Sequence, residues 1–135
     1  MSLITWDESF SVQIRVVDQQ HQKLIDIIND LHDAMKAGHG KDVLSTILIE
    51  LINYTGTHFT TEEQYFTKFN YPDTSAHKKE HVDFVQRVLD FKEEFENGRM
   101  TVSIELLYFL RDWLMNHIKV SDKKYSEFFH AKGLK

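Results

Sequence analysis

Apolar residues recur every three or four positions in four separate stretches of this chain, the spacing of amphipathic α-helices. The first stretch, about 18–37, carries Leu24, Ile28, Leu31 and Met35 on one face, and Gly38 follows as a helix-ending glycine. The second, about 41–69, aligns Leu44, Leu48, Leu51, Thr55, His58, Glu62, Phe66 and Phe69. Pro72 interrupts the pattern, and Asp73 or Thr74 is placed to cap a third helix. That helix presents His77, His81, Phe84, Val88, Phe91 and Phe95, and closes near Asn97 and Gly98. The fourth begins near Thr101 or Ser103 and aligns Ile104, Leu107, Leu110, Leu114 and His117. Connections of a few residues make neighbouring helices antiparallel. The expected fold is all-α: an up-and-down four-helix bundle (about 18–118) with an N-terminal arm (about 1–17) and a tail (about 119–135) holding a short C-terminal helix around 125–129.

Polar residues interrupt these apolar faces in a specific way. His21 extends the first stripe by one turn, His58 and Glu62 continue the second, His77 and His81 open the third, and His117 ends the fourth. In an antiparallel bundle the starts of helices one and three share an end with the finishes of two and four. At about 1.5 Å per residue, all six side chains fall within roughly 20 Å of that end. A single histidine on an apolar face is more often a hydrogen-bonded core residue, and one HxxxE or HxxxH pair arises readily by chance. Six such residues converging on one place is different, because each would be costly to bury without a partner.

Asp122 completes the set only if the backbone is irregular. Five residues beyond His117 is roughly 140° around an ideal α-helix, so an irregular turn is expected around 119–121. The spacing then reads H, HxxxE, HxxxH and HxxxxD. Five imidazoles and two carboxylates exceed the four ligands that satisfy zinc. They suit two octahedral ions, with nine bonds from the protein and two from a bridging oxide or hydroxide, leaving one position for a small molecule. Nitrogen-rich, carboxylate-bridged coordination points to two non-haem iron ions, more than to manganese. Two ferrous ions with two carboxylates and a hydroxide leave a core charge of about +1, too few anionic ligands to favour highly oxidised iron. His32, His39 and His130 lie outside this set and read as surface histidines. Lys78, Lys79 and Glu80 read as a solvated edge.

Composition narrows the class. The chain has 135 residues, one Pro, five Gly and no Cys, which fits a single helical domain and excludes disulfides, iron–sulfur clusters, thiolate zinc sites and c-type haem. A formal charge of −5 disfavours nucleic acid. The first residues lack the blocks of a signal peptide, and no apolar run is long enough for a membrane span. The expectation is a cytoplasmic protein, monomeric by default, without a fused output domain.

From about residue 6 to residue 125 the pattern resembles the hemerythrin family, in particular its small single-domain bacterial members. The resemblance is carried by Asp18-Gln19-Gln20-His21, His58-Phe59-Thr60-Thr61-Glu62-Glu63, Tyr71-Pro72 with His77 and His81, and Trp113-Leu114-Met115-Asn116-His117-Ile118 with Asp122. It implies that His77, His81 and His117 hold a saturated iron, that His21 and His58 hold the iron with the open position, and that Glu62 and Asp122 bridge both. It further implies reversible dioxygen binding, with oxygen held as hydroperoxide on the open iron, and a role as oxygen carrier, store or supplier to an oxygen-consuming enzyme. Leu24, Phe59, Trp113, Leu114 and Val120 match the apolar oxygen-pocket positions. Phe66 stands where many relatives carry Met, a change expected to alter packing alone. The expectation is a binding protein, not an enzyme. The alternatives are a di-iron redox enzyme (oxidase, peroxidase-like or nitric-oxide handling) and an oxygen or iron sensor acting through a partner.

Overall fold

The structure, a computed structural model, describes residues 3–38, 41–97 and 102–134. Four long helices form the body: α1 (Arg15–Lys36), α2 (Lys41–Phe69), α3 (Thr74–Glu96) and α4 (Val102–Asn116). A six-residue π-helical turn, His117–Asp122, joins α4 to a fifth helix, α5 (Lys123–Ala131). Helix α1 packs on α2 and α4, and α3 packs on α2 and α4, the neighbour pattern of an up-and-down bundle. Among the described residues no helix is long and apolar enough to cross a membrane.

The helix boundaries follow local chemistry. Helix α1 starts three residues before the apolar stripe suggests, because Asp18 reaches back to accept hydrogen bonds from Val12 N–H (2.9 Å) and Ser11 Oγ (2.6 Å). It ends where Gly38 adopts φ +74° and donates its N–H to the Met35 carbonyl, a conformation without steric cost only for glycine. Helix α2 ends at Phe69, where Asn70 turns left-handed at φ 53° and Tyr71 N–H bonds back to the Phe66 carbonyl, the Schellman arrangement. Asp73 occupies the N-cap of α3 but makes no side-chain cap; its carboxylate pairs instead with Lys124 at 2.8 Å. Thr101 and Gly98, proposed ends of the fourth and third helices, lie outside the described residues.

The arm and the tail close one end of the bundle together. Ser126 Oγ donates to the Val12 carbonyl at 2.6 Å, and His130 Nε2 to the Gln13 carbonyl at 2.9 Å. Val12, Ile14 and Val17 thereby join Phe66, Tyr71, Tyr125 and Phe129 in a buried cluster, separate from the main core that runs through the rest of the bundle. His21 lies between Val17 of the first cluster and Leu24 of the second, and Glu62 between Phe66 and Phe59. The candidate ligands therefore occupy the seam between two apolar clusters.

Phe66 anchors that end. Its ring lies 5.1 Å from Tyr71, 5.6 Å from Tyr125 and 4.8 Å from the His77 ring. Phe66→Ala is expected to lower the unfolding free energy by about 3–5 kcal/mol, whereas Phe66→Met, which keeps most of the volume, should cost less than about 1.5 kcal/mol. Denaturant titration of both variants measures the difference; equal losses would show that the cluster does not depend on filling this position.

Candidate metal centre

All seven side chains singled out in the sequence meet in the interior. His21, His58, Glu62, His77, His81, His117 and Asp122 are each buried. Their donor atoms form two groups: Glu62 with His77, His81 and His117, and His21 with His58, Glu62 and Asp122, each group within 4.8 Å. Glu62 belongs to both. Asp122 also spans them, with Oδ1 3.0 Å from both His77 Nε2 and His117 Nε2 and Oδ2 2.8 Å from His21 Nε2. Glu62 Oε1 lies 3.0 Å from His58 Nε2 and 3.3 Å from His81 Nε2.

Asp122 reaches the site through the π turn. Lys123 N–H bonds to the Ile118 carbonyl, five residues back, so residues 117 and 122 fall one wide turn apart and share a face. The expected irregularity is therefore present, and it begins at His117 itself. It also corrects one expectation. Val120 is 61% exposed and is not among the residues that line the cavity beside the centre, because the turn that brings His117 and Asp122 inward leaves Val120 outward; Ile118 is the buried apolar residue of this segment.

The five Nε2 atoms and the four carboxylate oxygens are buried, yet none makes a hydrogen bond. They approach one another closely but out of alignment, as groups arranged around a shared central partner do. Buried polar atoms are almost always satisfied. Nine unsatisfied nitrogen and oxygen donors in two overlapping groups fit a pair of cations, and they number the nine bonds that five imidazoles and two bridging carboxylates would supply.

Outer partners hold the imidazoles in place. His58 Nδ1 meets Gln20 Oε1 at 2.7 Å, while the Gln20 amide nitrogen donates to Thr61 Oγ1 at 3.1 Å. His81 Nδ1 meets Glu63 Oε2 at 3.0 Å, and His117 Nδ1 meets Glu80 Oε1 at 3.3 Å. Nδ1–H donation to these oxygens directs Nε2 at the metal position. Phe59 stacks on His81 with centroids 3.7 Å apart, and Trp113 stacks on His117 at 4.3 Å. Glu80 is thus no solvated edge: it also accepts from Ser121 Oγ at 2.7 Å, tying α3 to the π turn. Gln20, Glu63 and Glu80 each stand beside a ligand in sequence, which is the signal that could have marked them. His32 is half-buried, His130 bonds to the arm, and His39 lies outside the described residues.

The electrostatics balance in the protein alone. Burial opposes the Glu62 carboxylate, but the charge of His58 and contacts with His117, His58 and His77 hold its pKa well below the ordinary range. Burial and the Glu62 charge oppose Asp122, yet His117 and His21 hold it low as well. Burial disfavours the charged His77, but Asp122 and Glu62 raise it to about 9. His117 is raised well above 6.5, burial again being outweighed by Asp122, Glu62 and Glu80. His21 goes the other way, lowered by burial.

An apolar cavity adjoins the centre. Leu24 and Ile28 wall it from α1, Leu51 and Phe59 from α2, Phe84 from α3, and Trp113 and Leu114 from α4; His58 and His117 also line it. Its free volume is about 10 Å³, the size at which a cavity first admits one water-sized molecule. Four of the five expected pocket residues are here; Ile28, Leu51 and Phe84 join them.

Comparison with known proteins agrees with this geometry. The Hemerythrin HHE cation binding domain matches residues 12–129. A bacteriohemerythrin of Methylococcus capsulatus is 36% identical over 93% of this chain and 95% of its own length. A hemerythrin-like protein of Naegleria gruberi is 38% identical over 92% of each chain. A crystal structure of wild-type hemerythrin superposes with a TM-score of 0.84 at 36% identity, over 93% of this chain and 97% of that one. With the match spanning most of its length and the fold shared, the chain belongs to the hemerythrin family.

Proposed function

We propose that this protein binds dioxygen reversibly at a pair of non-haem iron ions bridged by oxide or hydroxide, as a cytoplasmic carrier, store or supplier rather than an enzyme. The observation that carries this reading is the set of nine unpaired donor atoms beside a dry cavity sized for one small molecule. When bound, the iron pair supplies two electrons to dioxygen and takes them back on release.

The residues divide the work. His77, His81 and His117 would hold one ion, His21 and His58 the other, and the carboxylates of Glu62 and Asp122 would serve both. With three imidazoles on one side and two on the other, the ion on the His21 and His58 side would be the one left free to take a small molecule. Leu24, Phe59, Trp113 and Leu114 keep water and protons away, which favours release of dioxygen over its further reduction. A cavity this small has no room for an organic substrate, which favours binding over oxidase chemistry.

Three measurements test the reading. Glu62→Ala and His77→Ala should each lower iron content well below two ions per chain, by metal analysis of purified protein; full iron in both variants would overturn the ligand assignment. Metal loading should release protons, because His77, raised to about 9, and His117 carry protons near neutrality that a metal must displace. Affinity should therefore climb as pH rises through about 9, and an indicator-dye titration should record more protons released at pH 7.5 than at pH 10. Finally, reduced iron-loaded protein titrated with oxygen and purged with argon should gain and lose a visible charge-transfer band through repeated cycles. Leu114→Ser should shorten the number of cycles survived without changing iron content. Immediate, irreversible conversion of the native protein to the ferric form would point to a redox enzyme or sensor instead.

A further inference from the structure

Thr55 departs from the behaviour of its neighbours. Thr57, Thr60, Thr61 and Thr67 of α2 each turn the hydroxyl back onto the carbonyl four residues earlier, at 2.8 to 3.3 Å. That is the ordinary way for a helical threonine to satisfy itself. Thr55 is 2% exposed, and its Oγ1 makes no hydrogen bond. It lines the cavity beside the metal centre, one turn before His58 on the same face of α2. The other lining residues, apart from His58 and His117, are apolar.

An unpaired hydroxyl in a dry wall is a standing cost. Valine has the same branched shape and would fill the position without that cost. What threonine adds is a single O–H, able to donate to or accept from whatever enters the cavity. We infer that Thr55 is the hydrogen-bonding post of this cavity, selecting small ligands of two or three atoms that carry a terminal acceptor and retaining them by donation from Oγ1. The inference rests on the proposed iron reading for the ligand's near end, while the hydroxyl itself is a property of the protein alone.

Thr55→Val and Thr55→Ser separate the hydroxyl from the shape. In metal-free protein, Thr55→Val should raise the melting temperature by about 3–5 °C, because it removes an unsatisfied polar group. In iron-loaded ferric protein, with azide as the probe, Thr55→Val should raise the dissociation constant about five- to ten-fold. Thr55→Ser, which keeps the hydroxyl, should bind azide as the native chain does. Unchanged or lower melting of metal-free Thr55→Val would show that the hydroxyl is already satisfied and would overturn the inference without any metal present. Equal azide affinity in native and Thr55→Val proteins would also overturn it. Failure of the iron reading has its own sign, a native protein that retains no iron, and leaves the melting comparison able to decide.

Discussion

Everything in this structure answers one constraint: nine nitrogen and oxygen atoms converge in the buried interior with no hydrogen-bond partner among the described residues. Leaving one buried polar group unpaired costs about 1–3 kcal/mol, and more if it is charged. A domain whose whole stability is about 5–15 kcal/mol cannot carry nine such losses. One feature of the protein reduces the cost before any cation binds. Glu62 and Asp122 stay ionised against protons held on His77 and His117, so charge balances across the cluster. The same arrangement prepares the site for a metal, since cations displace those protons and align the atoms that now only crowd one another.

Placement follows from that constraint. Helices α1, α2 and α3 and the π turn that follows α4 each contribute, and the ligands fall between the main core and the aromatic cluster closed by the arm and α5. Both clusters are apolar and buried, so the centre is walled from solvent on two sides. The π turn is the local concession that makes the set complete. An α-helix through residues 117–122 would carry Asp122 away from His117, whereas the wider turn returns it to the same face and leaves the intervening Val120 in solvent.

Long-range organisation was legible in the sequence because helical periodicity and ligand spacing report the same faces. Residues 41–69 were bounded by their pattern alone, and the irregularity before Asp122 followed from an angle. What escaped depends on side-chain direction, which periodicity does not encode. The resemblance assigns Val120 to the pocket by its spacing from the ligands, although spacing along an irregular turn does not fix orientation. Glu80 was read as solvated because charged residues between ligands usually are; its contact with His117 arises from the approach of α3 to the π turn. The early start of α1 escaped because Asp18 makes its decisive bonds to Ser11 and Val12, outside the apolar stripe.

The outer partners make the two halves of the centre unequal. On the three-histidine side, His81 and His117 are backed by the carboxylates of Glu63 and Glu80. On the other side His58 is backed by the neutral amide of Gln20, and His21 Nδ1 is buried with no hydrogen-bond partner among the described residues. A carboxylate behind an imidazole makes it a more basic donor than an amide does. The half with more imidazoles is therefore also the half with the stronger ones. A cation held on the His21 and His58 side would receive fewer and weaker donors, and so would have the greater demand for one more ligand.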